Sequence, residues 1–535
     1  MRPVPSIILL AGETRQPLVA FKPERLDTQH KVNAIPGASV VLSRVQGGQG
    51  DAVYEEELTL CGAGQRMDVL LLDKEERQLI FRGVVVEQRL QIRREYVEMV
   101  LTLRHDLQRL QGTHRSQVFE QQTDAMVAGN MFLGEAIPVA GIAGMDILHD
   151  QLVQCRCSDW QFLRSRLNAN GVWLYPAPEG VSIFSPVLSP VPVHTLRRRT
   201  SDIQGDVLIE DSHWCFSEQY QPATLTVSSW DAQIQNNDIF PAHPVPMGNQ
   251  AFNSTSGHCL NLTSWAFNYS TPLGMEQTAQ LANSLLMNLQ AARATGEFRL
   301  DGGGHYRLGD TLALEGYGTT MDGYGIVTGI RQSISKESGW RSTLSLGVNE
   351  VLRDMNIIPR ISGLHIGVVS AFMSDPSGMN RLRVKIPMLG ESNQELWARL
   401  ATPYASALSG FCFYPNEGDE VVIGFFDENP CYPVIIGSMH NPLNPAPVMP
   451  SQENTVKTLV VNHAGQKCEL MFNTVDNSVA LRSPEGELNL GQGGLLESSS
   501  LLTLKARDVS LEGEKTALSG KNRVSVTGAK ISLSN

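Results

Sequence analysis

No aromatic side chain occurs from Asn473 to Asn535. Without rings, that stretch has little from which to build an ordinary globular core. Long apolar runs are also missing. Ile7-Ile8-Leu9-Leu10-Ala11 is too short to span a bilayer or to form the apolar core of a signal peptide, so it reads as a first strand. Cations are outnumbered, with 43 Lys and Arg against 55 Asp and Glu, giving a net charge of −12. That weighs against a nucleic-acid surface, which needs clustered Lys and Arg. The basic run Arg197-Arg198-Arg199 reads as a solvated loop or a local ion-pair partner. The 8 cysteines are scattered and stop at Cys468, a pattern of free, mostly buried thiols in a reducing compartment.

The usual signatures of chemistry are missing too. There is no H-E-x-x-H, no Walker A loop and no G-x-S-x-G elbow. Cys155-x-Cys157 has no matching Cys/His pair at zinc-finger spacing, so it reads as structural. Glu417 with Asp419 is the best-placed carboxylate pair, but its setting before a strand reads as turn chemistry. Trp160, on a capped helix, reads as core. We therefore assign no catalytic, cofactor-binding or metal residues.

What is present is mainly β. Val40-Val41-Leu42, Val69 to Leu72, Ile80 to Val86 and Tyr96 to Leu103 are strand-like, and their spacing suggests a barrel or sandwich. Ser158-Asp159-Trp160-Gln161 is a capping box that predicts a helix with Trp160, Leu163 and Leu167 on one face, stopped by Gly171. A second helix is expected from near Pro272 to Ala294, with Thr271 as its cap and Leu281, Leu285 and Leu289 as its stripe. Between 361 and 440, alternation at Ile366/Val368, Leu382/Val384/Ile386, Val421/Ile423/Phe425 and Val434/Ile436 predicts about five strands, which fits a small closed barrel of oligonucleotide-binding (OB) type. A Pro-rich linker follows at 441–454.

Residues 455–535 then read as short β segments separated by glycines and polar turns, such as Val524-Ser525-Val526 and Ile531-Ser532-Leu533-Ser534. Strands this short need stacked neighbours to bury their apolar side. A β-helix or needle satisfies them, and it points to a mechanical part rather than a catalyst.

Three stretches carry a family resemblance. The first is Gln154 to Leu163 with Asn170-Gly171-Val172-Trp173. The second is Arg307-Leu308-Gly309-Asp310 with Gly323 to Val327. The third is Pro415-Asn416-Glu417-Gly418-Asp419-Glu420-Val421 followed by Phe425, Asp427, Pro430, Pro433, Ile436 and Gly437. In this order, ahead of a β tail, they resemble the valine-glycine-repeat (VgrG-type) spike proteins of contractile injection systems and the related phage tail hub and spike proteins. The compact layout is most similar to spikes of the extracellular antifeeding-prophage and Photorhabdus-virulence-cassette kind. The linker leaves no room for a lysozyme domain, and the chain stops at Asn535 still in β pattern.

The resemblance implies a mainly β fold: a hub region at 1–360 with two β-barrel-type subdomains and inserted α/β elements, an OB-fold barrel at 361–440, and an intertwined trimeric β-helix needle at 455–535. It implies a homotrimeric, non-enzymatic spike that caps the inner tube, anchors the baseplate and pierces the target envelope when the sheath contracts. Its expected partners are the inner tube or a tube-initiator protein, baseplate proteins and a tip protein of the Pro-Ala-Ala-Arg (PAAR) type. Contact with a target membrane would be transient, and nucleic acid is not expected. Assembly would occur in the bacterial cytoplasm, within a phage tail-like particle that is later released.

Leu502, Leu504, Val509, Leu511, Val524, Val526, Ile531 and Leu533 are the candidates for the needle core, and Ser532, Leu533, Ser534 and Asn535 for tip docking. Two other readings are a tail-associated cell-wall hydrolase with a β-helix module and a β-helical adhesin fibre.

Overall fold

The computed structural model describes residues 4–45, 51–73, 76–198, 207–245, 247, 262–302, 305–318, 322–348, 358–390, 394–491, 493, 495–503, 507, 510 and 513–532. The chain forms two compact units, Met1–Met439 and His440–Asn535.

In the first unit a thirteen-stranded sheet curls around two cores. Strand Gly323–Ser335 is the shared wall. On one side it continues through Gly339–Leu346, Ala294–Asp301, Val207–Phe216, His194–Arg198 and Thr311–Glu315, and the last pairs back onto Gly323–Ser335 to close a ring. On the other side it pairs with Lys22–Lys31, then Gly37–Val45, Tyr96–Arg104, Glu76–Ile92, Arg66–Asp73 and Ser6–Ala11.

Period-two alternation explains both cores. Val40, Leu42, Val69, Phe81, Met99 and Leu101 fill one. Leu196, Phe298, Leu312 and Leu344 fill the other. Gly83 permits a tight crossing, since a Cβ there would lie 2.2 Å from the Arg104 carbonyl oxygen.

Four α-helices occur among the described residues: α1 (Asp51–Leu60), α2 (Asp124–Gly134), α3 (Asp159–Asn170) and α4 (Met275–Ala291). α3 begins at the expected capping box. Gln161 N–H donates to Ser158 Oγ at 3.2 Å, and Ser158 N–H donates to Gln161 Oε1 at 3.0 Å. It ends at Gly171, whose φ of 63° is the left-handed conformation that glycine adopts without a Cβ penalty. Trp160, Leu163 and Leu167 are buried as predicted.

α4 departs from expectation. Its N-cap is Gly274, with no side-chain cap, and Thr271 bonds elsewhere.

The OB barrel is closed, in the order His365–Val369, Leu382–Lys385, Glu395–Leu400, Pro433–Ser438, Glu420–Phe425. Leu382, Val384, Ile386, Val421 and Ile423 point inward as the alternation predicts. Two strands are out by one residue. Gly367 and Val369 are buried in place of Ile366 and Val368, and Ile435 is buried in place of Val434 and Ile436. The pairing of Glu420–Phe425 with Pro433–Ser438 shifts register between Val422 and Ile423 and skips Ile436, whereas its pairing with His365–Val369 is unbroken.

The second unit contains a five-stranded antiparallel meander: Val456–His463, Gln466–Asn473, Ser478–Ser483, Gly486–Leu490 and Leu495–Ser498. These strands are joined by hairpins, and the first two are longer than the three- or four-residue segments expected. From Ser499 to Ser532 no strand occurs among the described residues.

Candidate functional site

A polar cluster lies beneath α2, α3 and α4. Thr123 caps α2, which places Asp124 in the first turn with its side chain fully buried. Arg166, on α3, donates Nε and Nη2 to the two Asp124 oxygens at 2.6 and 2.9 Å. His149 Nε2 lies 2.9 Å from Oδ2, and Asn170 Nδ2 donates to the same oxygen at 2.8 Å. Burial pushes the Asp124 carboxyl up, but the Arg166 charge and the His149 hydrogen bond outweigh it, so the carboxyl sits well below the usual range. Arg166 is pulled down by burial and raised by Asp124, with a net upward shift. The charges are paired and bonded, which is how buried ions are tolerated.

This cluster adjoins the OB barrel. His149 Nδ1 lies 3.2 Å from Gln277 Nε2, and Tyr432 of the barrel donates to Gln277 Oε1 at 3.5 Å. Gln151 spans the same seam. Its Nε2 donates to the Cys431 carbonyl at 2.7 Å and its Oε1 accepts from Trp397 N–H at 2.9 Å. Val153 N–H donates to Cys431 Sγ at 3.3 Å, Val118 N–H donates to Gln394 Oε1 at 2.9 Å, and Arg383 pairs with Glu120 at 2.8 Å.

Apolar packing follows the same route. Phe162, Leu163 and Val153 share one core with Val384, Ile423 and Ile435 of the barrel. Such a seam resists both sliding and rotation, because hydrogen bonds are directional and the apolar contacts are close-packed.

In the second unit the meander is two-faced. Cross-strand pairing puts Leu459, Leu470, Leu481 and Leu488 in one row, flanked by Val461 and by Phe472, Val479 and Leu490. Leu481 is 56% exposed and Leu490 55%. The opposite face carries ions. Glu469 takes Lys467 at 3.3 Å and Arg482 at 3.6 Å, and Arg482 reaches Glu487 at 3.1 Å.

Of the residues expected in the needle core, Leu502, Val524, Val526 and Ile531 are exposed in the single chain. Leu504, Val509, Leu511 and Leu533 lie outside the described residues, as do Ser534 and Asn535 at the expected tip. Ser532 is exposed.

Glu417 and Asp419 sit in the turn before a barrel strand, where Asp419 accepts from Asn416 N–H at 2.7 Å. Cys155 and Cys157 are buried, and burial is the leading cause that raises both thiols, Cys157 to about 11. Among the described residues no group of three or more His, Cys, Asp or Glu could hold a metal ion.

The Asp124 cluster was missed at the sequence level. The available signal was an arginine at position 166, between Leu163 and Leu167 on the apolar stripe of a helix.

Residues 4–336 match the family described as Alg8 N-terminal domain. The chain belongs to that family. Residues 365–440 match the type VI secretion system/phage-baseplate injector OB domain.

Among solved structures, the Escherichia coli c3393 protein, a type VI secretion component described as similar to the T4 tail proteins gp27 and gp5, is 12% identical with a TM-score of 0.50. The alignment covers 78% of this chain and 97% of that one. The lidded Francisella PdpA-VgrG complex is 10% identical with a TM-score of 0.57, covering 92% of this chain and 80% of that one. Its half-lidded form is 9% identical with a TM-score of 0.54, covering 93% and 88%. No curated protein matches the chain. This Alg8-family chain thus shares the fold of these structures, mainly β, with an OB barrel of the injector type.

Proposed function

We propose that the chain is the central spike of a contractile injection machine and works mechanically, as a homotrimer. The observation that carries this reading is the two-faced meander of the second unit. Its apolar row, Leu459, Leu470, Leu481 and Leu488, has no cover within its own sheet, while its ion pairs lie on the other face. Three copies that turn these rows inward bury them around a common axis and leave the ion pairs wet. The free edges of the meander, and the tail beyond it, then find backbone partners in neighbouring chains. Leu502, Val524, Val526 and Ile531, solvated in one chain, extend the same axis.

In this reading the thirteen-stranded sheet with its two cores forms the hub that meets the inner tube and baseplate, and the OB barrel is the collar. The seam built on Gln151, Cys431 and Trp397 carries thrust from hub to shaft. The C-terminal residues receive a PAAR-type tip protein. Assembly in the cytoplasm and release in an extracellular tail-like particle fit the resemblance to antifeeding-prophage spikes. Among the described residues no helix is long and apolar enough to cross a membrane.

The test is the native mass and symmetry of the purified full-length chain. A three-chain particle with a thin central shaft is expected. A stable monomer, or tails folded back on their own barrels, overturns the proposal.

A further inference from the structure

α3 separates two open cavities of about 650 and 640 Å³. Trp160, Arg164 and Asn168, spaced four apart and so stacked on one helix face, line both. Each volume lies within the range of about 300–1,000 Å³ typical of ligand pockets.

The charge along this groove is the reverse of that of the chain, whose net charge is −12. The first cavity presents Lys31, Arg104 and Arg164 against one carboxylate, Glu297, among its described lining residues. The second presents Arg156, Arg164 and Arg360, with no carboxylate among the described ones.

Arg156 is held there by a strained backbone. Its φ is +48°, at a register shift between Gln154 and Cys157 that leaves Cys155 and Cys157 buried and Arg156 exposed. A non-glycine residue in this conformation is disfavoured and often marks a functional position. Bulges also re-aim side chains.

We propose that this groove is a docking site for an acidic peptide segment of a partner protein, laid along α3 with carboxylate side chains in both cavities. Guanidinium forks match carboxylates two bonds at a time, and four of these five cations are arginines. A partner peptide is favoured over nucleic acid because two discrete pockets suit separate side chains, whereas a phosphate backbone follows a continuous cationic track.

The experiment measures fluorescence anisotropy of a labelled glutamate-rich peptide of about ten residues titrated with full-length protein. Saturable binding that weakens from about 0.05 to 0.5 M salt is expected. Reversing the exposed cations together (Lys31→Glu, Arg104→Glu, Arg156→Glu and Arg360→Glu) lowers affinity by about tenfold or more, while the equal charge change at Arg77, Arg89, Lys515 and Lys521 leaves it within about twofold. Arg156→Glu alone, with an unchanged melting curve, gives a severalfold loss and decides the matter if the quadruple variant does not fold. Absence of saturable binding, equal loss in both charge-reversal variants, or tighter binding of a single-stranded oligonucleotide to the same groove overturns the proposal.

Discussion

Thr271 gives both its backbone N–H and its hydroxyl to one oxygen of Asp427, at 2.7 and 2.8 Å. One residue precedes α4 and the other belongs to the OB barrel, 156 positions away. Asp427 holds a left-handed backbone (φ 50°, ψ 30°) to make this contact. The bond turns a residue that resembles a helix cap into a tether between two parts of the first unit.

Asp427→Ala should therefore lower stability by about 1–3 kcal/mol, because it leaves the buried Thr271 donors without their partner. Thr271→Val should cost less, since it removes the hydroxyl and keeps the backbone bond. Urea unfolding of the two variants checks the order. Equal losses would show that the hydroxyl carries the whole contact, and no loss on Thr271→Val that Asp427 acts through the rest of its surroundings.

Asp124→Asn should be severe. It strands the Arg166 guanidinium in a buried site, and breaking such a pair costs about 3–5 kcal/mol. Replacing both partners by apolar residues, Asp124→Leu with Arg166→Met, should recover part of the loss, because no unpaired arginine remains, although His149 and Asn170 lose Asp124 as partner. The measurement is a double-mutant cycle in urea. Additive effects would mean that the two residues do not act as a pair.

Acid should loosen the first unit in a defined window. The Asp124 and Asp375 carboxyls are pushed up by burial and pulled down further by their arginine partners, Arg166 and Arg381, so both lie below the ordinary value of 3.8, Asp375 at about 2. An acid with a lowered folded pKa binds its proton first in the unfolded chain. Its stabilisation is thus complete above about pH 4 and is lost as pH falls through the folded value. Denaturant midpoints should drop between pH 4 and 2, and Asp375→Asn should flatten part of that drop. A curve that Asp375→Asn leaves unchanged would remove Asp375 from the account.

Leu481→Asp should block oligomer formation, while Asn489→Asp, on the ion-bearing face of the same sheet, should be tolerated. Leu481 stands in the apolar row and is half exposed in one chain, so an intramolecular role predicts little effect on a monomer. Native mass spectrometry of the two full-length variants separates the outcomes. Equal behaviour would show that the apolar row is not the contact.

Local pattern alone determined much of this protein. The capping box at Ser158, the stop at Gly171, the buried Trp160 stripe and the alternation of Val421 and Ile423 are read from neighbours in sequence, and each depends on forces that act within a few residues. The absence of rings after Phe472 points to short β segments in the tail, read as a β-helix, and the structure has hairpins as far as Ser498.

Tertiary structure decided the rest, because the partners are far apart in the chain. Thr271 as a cap and Thr271 as a ligand of Asp427 are the same residue to any local reading. The bulge at Ile436 is one that only pairing creates. The Asp124–Arg166 pair spans 42 positions, and its low dielectric surroundings exist only once α2, α3 and α4 have closed over it. Which face of the meander would be apolar was set by strand register, and register is a property of neighbours brought together by folding.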